Sequence, residues 1–260
     1  MSKILPSFFI GHGSPMNTIE DNQITRGWKK EFTNWEDVQA ILLISAHYLT
    51  TGTKITSHEK NPIIYDFFGF PEELYFTNYE SKGSKEIASK LSDELKIEID
   101  SKTGLDHGSW SILKQIQPPT SIPILQLSLD VYKTIDRHFE FAKELNYLRR
   151  QGYLLIGSGN IVHNLNLLNF RNMNEELVWV KEFDSFIRNS FTNQDFESLI
   201  YFQNKEKEFR QAHPSIEHYL PFLYIIANLE ETDSFYFFNT ILQSSISMTS
   251  LKIFNKENQE

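Results

Sequence analysis

Four short apolar runs set the terms for this chain: "SFFI" at 7–10, "AILLIS" at 40–45, "IPILQLS" at 122–128 and "YLLIGS" at 153–158. None alternates apolar with polar residues. Runs of this kind predict strands covered on both faces. Helical patterns lie between them. "SKEIASKLSDEL" at 84–95 places Ile87, Leu91 and Leu95 on one face. "DRHFEFAKELNYLRR" at 136–150 does the same with Phe141, Leu145 and Leu148, and Gly152 is its stop signal. "EELVWVKEFDSFIRNSF" and "EHYLPFLYIIANL" read as two further helices. "SFYFFNT" and "SSISMTSLKIF" read as closing strands, an antiparallel edge or hairpin. Strands alternating with helices predict an α/β sandwich, with helices on both faces of a mostly parallel sheet. No repeat or Pro/Gly/Ser-rich linker divides the 260 residues, so a single domain is expected.

Composition narrows the function classes. The chain has no cysteine, which excludes disulfides, thiolate zinc fingers, iron–sulfur clusters and cysteine nucleophiles. Any metal must be held by nitrogen and oxygen. The net charge of -9 argues against a nucleic-acid partner, which needs a basic face, and against an anionic membrane surface. No apolar run approaches the roughly 20 residues of a membrane span. The stretch "MSKILPSFFIGHGS" is too weakly apolar for a signal peptide, so a cytoplasmic protein is expected. Aromatic residues make up 14% of the chain, enough to fill a core and also to line a pocket for a flat ligand.

In open α/β sheets ligands gather beyond the carboxyl ends of the strands. Histidines cluster there. His12 follows "SFFIG", His47 follows "AILLISA", and His163 follows "YLLIGSGNIV". His107 lies in the polar turn "GLDHGSW", and His213 and His218 bracket the start of a helix in "AHPSIEHYLP". Parallel strands would bring such residues to one edge of the sheet. Two or three imidazoles with a carboxylate would suit a first-row metal with open positions. His58 and His138 read as ordinary polar and helix-surface residues, and His213 as a residue that precedes or caps a helix. "GSGN" at 157–160 lacks the third glycine and the lysine of a phosphate loop. Ser14 is outside a nucleophile elbow, although a Ser/His hydrolase using Ser14 or Ser158 stays open on the residues alone.

Seven blocks come in order: "GHGSPM" at 11–16, "SAHY" at 45–48, "IYDFFGFP" at 64–71, "GLDHGSW" at 104–110, "PILQLSL" at 123–129, "GSGNIVHNL" at 157–165 and "EHYLPFL" at 217–223. Together they resemble the class III extradiol ring-cleavage dioxygenases, in the DOPA 4,5-dioxygenase-like branch. The resemblance implies a three-layer α/β/α sandwich around a mixed sheet. It implies one divalent, non-haem metal, Fe(II) for ring cleavage or Zn(II) as bound. It also implies a small catechol and O₂ as reactants.

The family's metal histidines map onto His12, His47 and His218, and its acid–base histidine onto His163. His107 belongs to the same pocket, where the adjacent Asp106 is a candidate to orient it. Three points stay open. Glu217 stands beside His218 as a rival ligand. His163 has a second reading as a fourth ligand. Tyr48 stands where relatives commonly carry Trp, as a candidate pocket wall. The rival functions are a zinc-dependent hydrolase and a metal-retaining catechol-binding protein. The sequence carries no indication of oligomeric state.

Overall fold

The computed structural model describes residues 3–204 and 207–259; Met1 and Ser2 of the N-terminal stretch lie outside them. Eight strands form one sheet: β1 (Ser7–Gly11), β2 (Ala40–Thr50), β3 (Lys54–Thr56), β4 (Glu98–Asp100), β5 (Ile124–Asp130), β6 (Tyr153–Gly159), β7 (Asp233–Phe238) and β8 (Ser250–Asn255). Their order is β4-β3-β5-β2-β6-β1-β8-β7. The four central strands are the four apolar runs. β2 is parallel to both β5 and β6, and β1 is parallel to β6. β8 pairs antiparallel with β1 and with β7, so the expected closing strands form one edge.

The apolar runs are covered on both faces, as their lack of alternation predicts. Phe8, Ile10, Ile41, Leu43 and Ile156 pack with Trp28 of α1 (Gln23–Glu31) and Trp110 of α3 (His107–Ile116). Phe9, Leu42, Ile44 and Leu155 turn the other way. They pack with α2 (Lys85–Leu95), α4 (Ile135–Lys143), α5 (Val178–Thr192) and α6 (Leu220–Ile226). The result is the three-layer α/β/α sandwich. Among the described residues no helix is long and apolar enough to cross a membrane.

Two boundaries differ from the sequence reading. The helix expected over 136–150 ends at Lys143, and a 3-10 segment follows over Asn146–Gln151. Its tighter winding buries the consecutive Leu148 and Arg149 together. Arg149 then makes paired contacts with Asp233 at 2.6 and 3.0 Å inside the protein. The second difference is the reach of β2, which runs to Thr50, well past residue 45. Its pairing with β5 shifts register between Ile44 and Leu49. His47 therefore lies inside a strand, at an irregularity, rather than after one.

His138 is buried, not on an open helix surface. Its Nε2 lies 3.1 Å from the carbonyl of Asp130 and its Nδ1 2.9 Å from Tyr224 Oη. A carbonyl only accepts, so Nε2 carries the proton and Nδ1 accepts from the tyrosine. The neutral ring is fully satisfied, and burial, reinforced by Lys133, pushes its pKa down to about 4. An unfolded histidine titrates near ~6.5. Between those values the unfolded chain binds the extra proton, so stability falls as pH drops from about 6.5 towards 4. Urea unfolding at pH 7 and pH 5 should show wild type losing about 2 kcal/mol more than His138→Gln over that interval. Equal losses would contradict this account.

Candidate metal centre

β1 ends at Gly11, and His12 follows with its N–H donated to the carbonyl of Gly159 at 3.1 Å. Asn17 Nδ2 donates to the His12 carbonyl at 2.9 Å. Gly13 has φ +59°, and a Cβ there would meet Met248 Sδ at 2.5 Å. Glycine takes this conformation without strain, and at Gly11 a Cβ would lie 2.7 Å from the Met248 carbonyl, so each glycine beside His12 has its own reason. Gly159 serves the opposite wall. A Cβ on it would lie 2.2 Å from the carbonyl oxygen of His218, so its absence lets the segment before α6 press against the sheet end. Asn160 N–H then donates to that carbonyl at 2.8 Å.

His12, His47 and His218 each offer a ring nitrogen within 4.8 Å of the others. His12 Nε2 and His47 Nε2 face each other at 3.2 Å. His218 Nε2 is buried with no partner. The His12 tautomer follows from its neighbours. Ser158 Oγ donates its only proton to the Gly108 carbonyl at 2.6 Å, so it must accept from His12 Nδ1 at 2.9 Å. The His12 proton is thereby on Nδ1, and Nε2 presents a lone pair to the pocket. The same bonding commits the Ser158 hydroxyl proton away from every imidazole, which removes the arrangement a Ser158 nucleophile would need.

Burial keeps these rings neutral. It lowers the pKa of His12 and His218 far below the usual histidine range, assisted by the neighbouring imidazoles. His47 is lowered to about 3 by burial and then by His107. Neutral rings with inward lone pairs are what a metal requires of histidine. The unpartnered buried Nε2 of His218, beside the His12 and His47 Nε2 atoms that meet at 3.2 Å, is a nitrogen that a cation would satisfy. On these observations the residues fit a divalent metal.

Glu217 is outside this group. Its carboxylate accepts from Ser215 Oγ at 2.7 Å and stands 3.4 Å from His218 Nδ1, on the far side of that ring from the lone pair. Both residues lie in a turn ahead of α6, which begins at Leu220. His163 is also outside the converging set. Its ring stacks on His218 with centroids 3.5 Å apart and planes at 6°. Burial, followed by His107, lowers its pKa to about 4. His107 opens α3, with its ring centroid 4.1 Å from that of His47.

Three sequence readings are corrected. Asp106 does not orient His107. It caps α3, accepting from Ser109 N–H at 3.1 Å and Ser45 Oγ at 2.7 Å. The partner of His107 is Asp66, whose Oδ1 accepts its backbone N–H at 2.9 Å and lies 3.0 Å from Nδ1. Tyr48 walls no pocket, because it is buried with its hydroxyl donated to Asp100 at 2.9 Å. His213 caps no helix; its Nε2 meets the Ile161 carbonyl at 2.6 Å inside the protein. His58 keeps its ordinary role, with Nε2 at 2.8 Å from the Thr103 carbonyl. Asp66 was overlooked within "IYDFFGFP", where a lone carboxylate among aromatics was the available signal. The aromatics of that loop divide: Phe67 packs on His107 and Trp110, while Phe68 is exposed.

Known proteins share this arrangement of sequence and fold. The chain is 38% identical over 229 residues to 4,5-DOPA dioxygenase extradiol of Escherichia coli K12, covering 85% of this chain and 84% of that protein. It is 34% identical over 231 residues to 4,5-DOPA dioxygenase extradiol of Beta vulgaris, covering 84% of each. The crystal structure of an uncharacterized protein from Escherichia coli K12 superposes with a TM-score of 0.82 at 33% identity, over 95% of this chain and 99% of that one. The family model for the catalytic LigB subunit of aromatic ring-opening dioxygenases matches residues 6–251, a span that contains all five pocket histidines. The chain therefore belongs to the LigB family of aromatic ring-opening dioxygenases.

Proposed function

We propose that this extradiol dioxygenase opens the ring of a DOPA-like catechol beside its diol, placing both atoms of O₂ in a semialdehyde acid product. The observation that carries the reading is the convergence of three neutral histidines, His12, His47 and His218, at the sheet end, with His107 and His163 flanking them. The DOPA-like side chain is taken from the relatives that bear that name.

His12, His47 and His218 would hold the metal, Fe(II) for turnover, with Zn(II) as an ion the same donors accept. When bound, such an ion supplies positive charge for a catecholate and a redox centre at which O₂ can react with the ring. The remaining work belongs to the chain. His163 is neutral in the resting protein, so its ring can take a proton from a catechol hydroxyl and return it later. The stack on His218 supports this over a fourth-ligand role, since two parallel rings point their nitrogens alongside rather than at a shared point. His107, with Nδ1 beside Asp66, has Nε2 left to meet a substrate oxygen. Phe67, packed on His107, is a surface for the aromatic ring.

The test is oxygen consumption by anaerobically Fe(II)-loaded protein. DOPA or a related catechol should consume one O₂ per ring and yield a yellow ring-opened product. Ester or amide hydrolysis by the zinc form without oxygen uptake would replace the reading with a hydrolase. Tight catechol binding with no oxygen uptake would replace it with a binding protein.

A further inference from the structure

Asp66 lies against two pocket histidines at once. Its side chain is 24% exposed, on a residue that is open to solvent overall. Oδ1 accepts the backbone N–H of His107 at 2.9 Å and stands 3.0 Å from His107 Nδ1. Oδ2 stands 3.8 Å from His47 Nδ1. Among the described residues no Lys or Arg forms an ion pair with this carboxylate.

We propose that Asp66 is a positioning residue that keeps the proton of His107 on Nδ1 and turns Nε2 of both His107 and His47 toward the pocket. An imidazole has two nitrogens, and which one carries the proton is set by what the other faces. Ser158 settles this for His12 with a hydroxyl. For His107, Asp66 Oδ1 lies 3.0 Å from Nδ1 without the alignment of a hydrogen bond, so what holds the proton on that nitrogen is the attraction of the carboxylate for the nearer N–H. Outer partners of this kind fix ring orientation and tautomer in metal sites. The side chain is on a loop separated from His107 by 41 positions, so it clamps the start of α3 to the loop that carries Phe67. The grouping His47, Asp66 and His107 also meets the distance requirement for a cation of its own. Zinc stoichiometry separates that arrangement from the direct ring–carboxylate pair.

The part this clamp plays in turnover rests on the ring-opening reading; its effect on the ring does not. The experiment is side-chain ¹⁵N NMR of the zinc-loaded protein, with zinc affinity measured by chelator competition, on wild type, Asp66→Asn and Asp66→Ala. In wild type, His107 should carry its proton on Nδ1. In Asp66→Ala, His107 should become a mixture of tautomers, and zinc affinity should fall by roughly 10-fold to 100-fold. Asp66→Asn keeps an accepting oxygen and should lie between. With Fe(II), kcat should fall in the same order, more than KM rises.

A wild-type His107 protonated only on Nε2 would overturn the proposal without any variant, which covers the case of a variant that does not fold. Unchanged His107 spectra and zinc affinity in Asp66→Ala would overturn it as well. Two equivalents of zinc in wild type, with one lost in Asp66→Ala, would replace it with a second cation site. If no catechol is turned over by the Fe(II) form, the ring-opening reading fails, while the NMR result still decides the role of Asp66.

Discussion

His12→Ala, His47→Ala and His218→Ala should each lose the bound metal on dialysis, with oxygen uptake falling to background. Three lone pairs converge in a buried space, so removing one leaves two donors and a gap that only water can fill. The loss in affinity should exceed the 10–100-fold that accompanies loss of an outer partner. Stability gives an independent reading. A metal that binds only the folded chain stabilises it by about 4 kcal/mol at a thousand times its dissociation constant. Wild type should show that gain as a rise in Tm on adding zinc, and the three variants should not. Without metal, His218→Ala deletes a buried nitrogen that has no partner, whereas His12→Ala also loses the bond to Ser158, so the zinc-dependent rise in Tm is read against each variant's own metal-free value. A His12→Ala protein that keeps one equivalent of metal at wild-type affinity would remove His12 from the ligand set.

His163→Ala separates proton transfer from metal binding. The variant should retain its metal and bind a catechol anaerobically, while turnover drops by roughly 10²–10⁴-fold, the range for a lost general acid or base. The stack on His218 is a route by which the change could reach the metal. His163→Gln keeps a flat polar group against that ring and guards against this indirect effect. Elemental analysis and an anaerobic substrate titration of both variants decide the matter. Metal loss in both would make His163 a ligand. Wild-type turnover in both would deny it any part in catalysis.

Much of the fold was legible because burial on two faces leaves a local mark. "AILLIS" and "YLLIGS" carry no alternation, and in the structure Ile41 and Leu42 turn to opposite helical layers. The end of β2 was not legible. Its extension to Thr50 depends on a register shift against β5, and on Ser45, whose Oγ bonds Asp106 at 2.7 Å and takes the His47 N–H at 3.2 Å. Helix periodicity misread 136–150 for a related reason. Arg149 looks like a surface residue until Asp233, 84 positions away, is placed against it.

By itself the sequence determined that apolar strands would be covered on both sides, that no thiol chemistry was available, and that histidines would fall near strand ends beside glycines. Those properties are set by neighbours a few residues apart, which periodicity and turn chemistry report directly. Only the tertiary structure decided that Asp66 rather than Asp106 meets His107, that Ser158 sets the His12 proton, that His163 lies flat on His218, and that Tyr48 faces away from the pocket. Apart from the two aspartates' choice, these contacts join residues 52 to 146 positions apart. A proton's place on an imidazole depends on an oxygen about 3 Å away in space, and spacing along the chain carries no record of it.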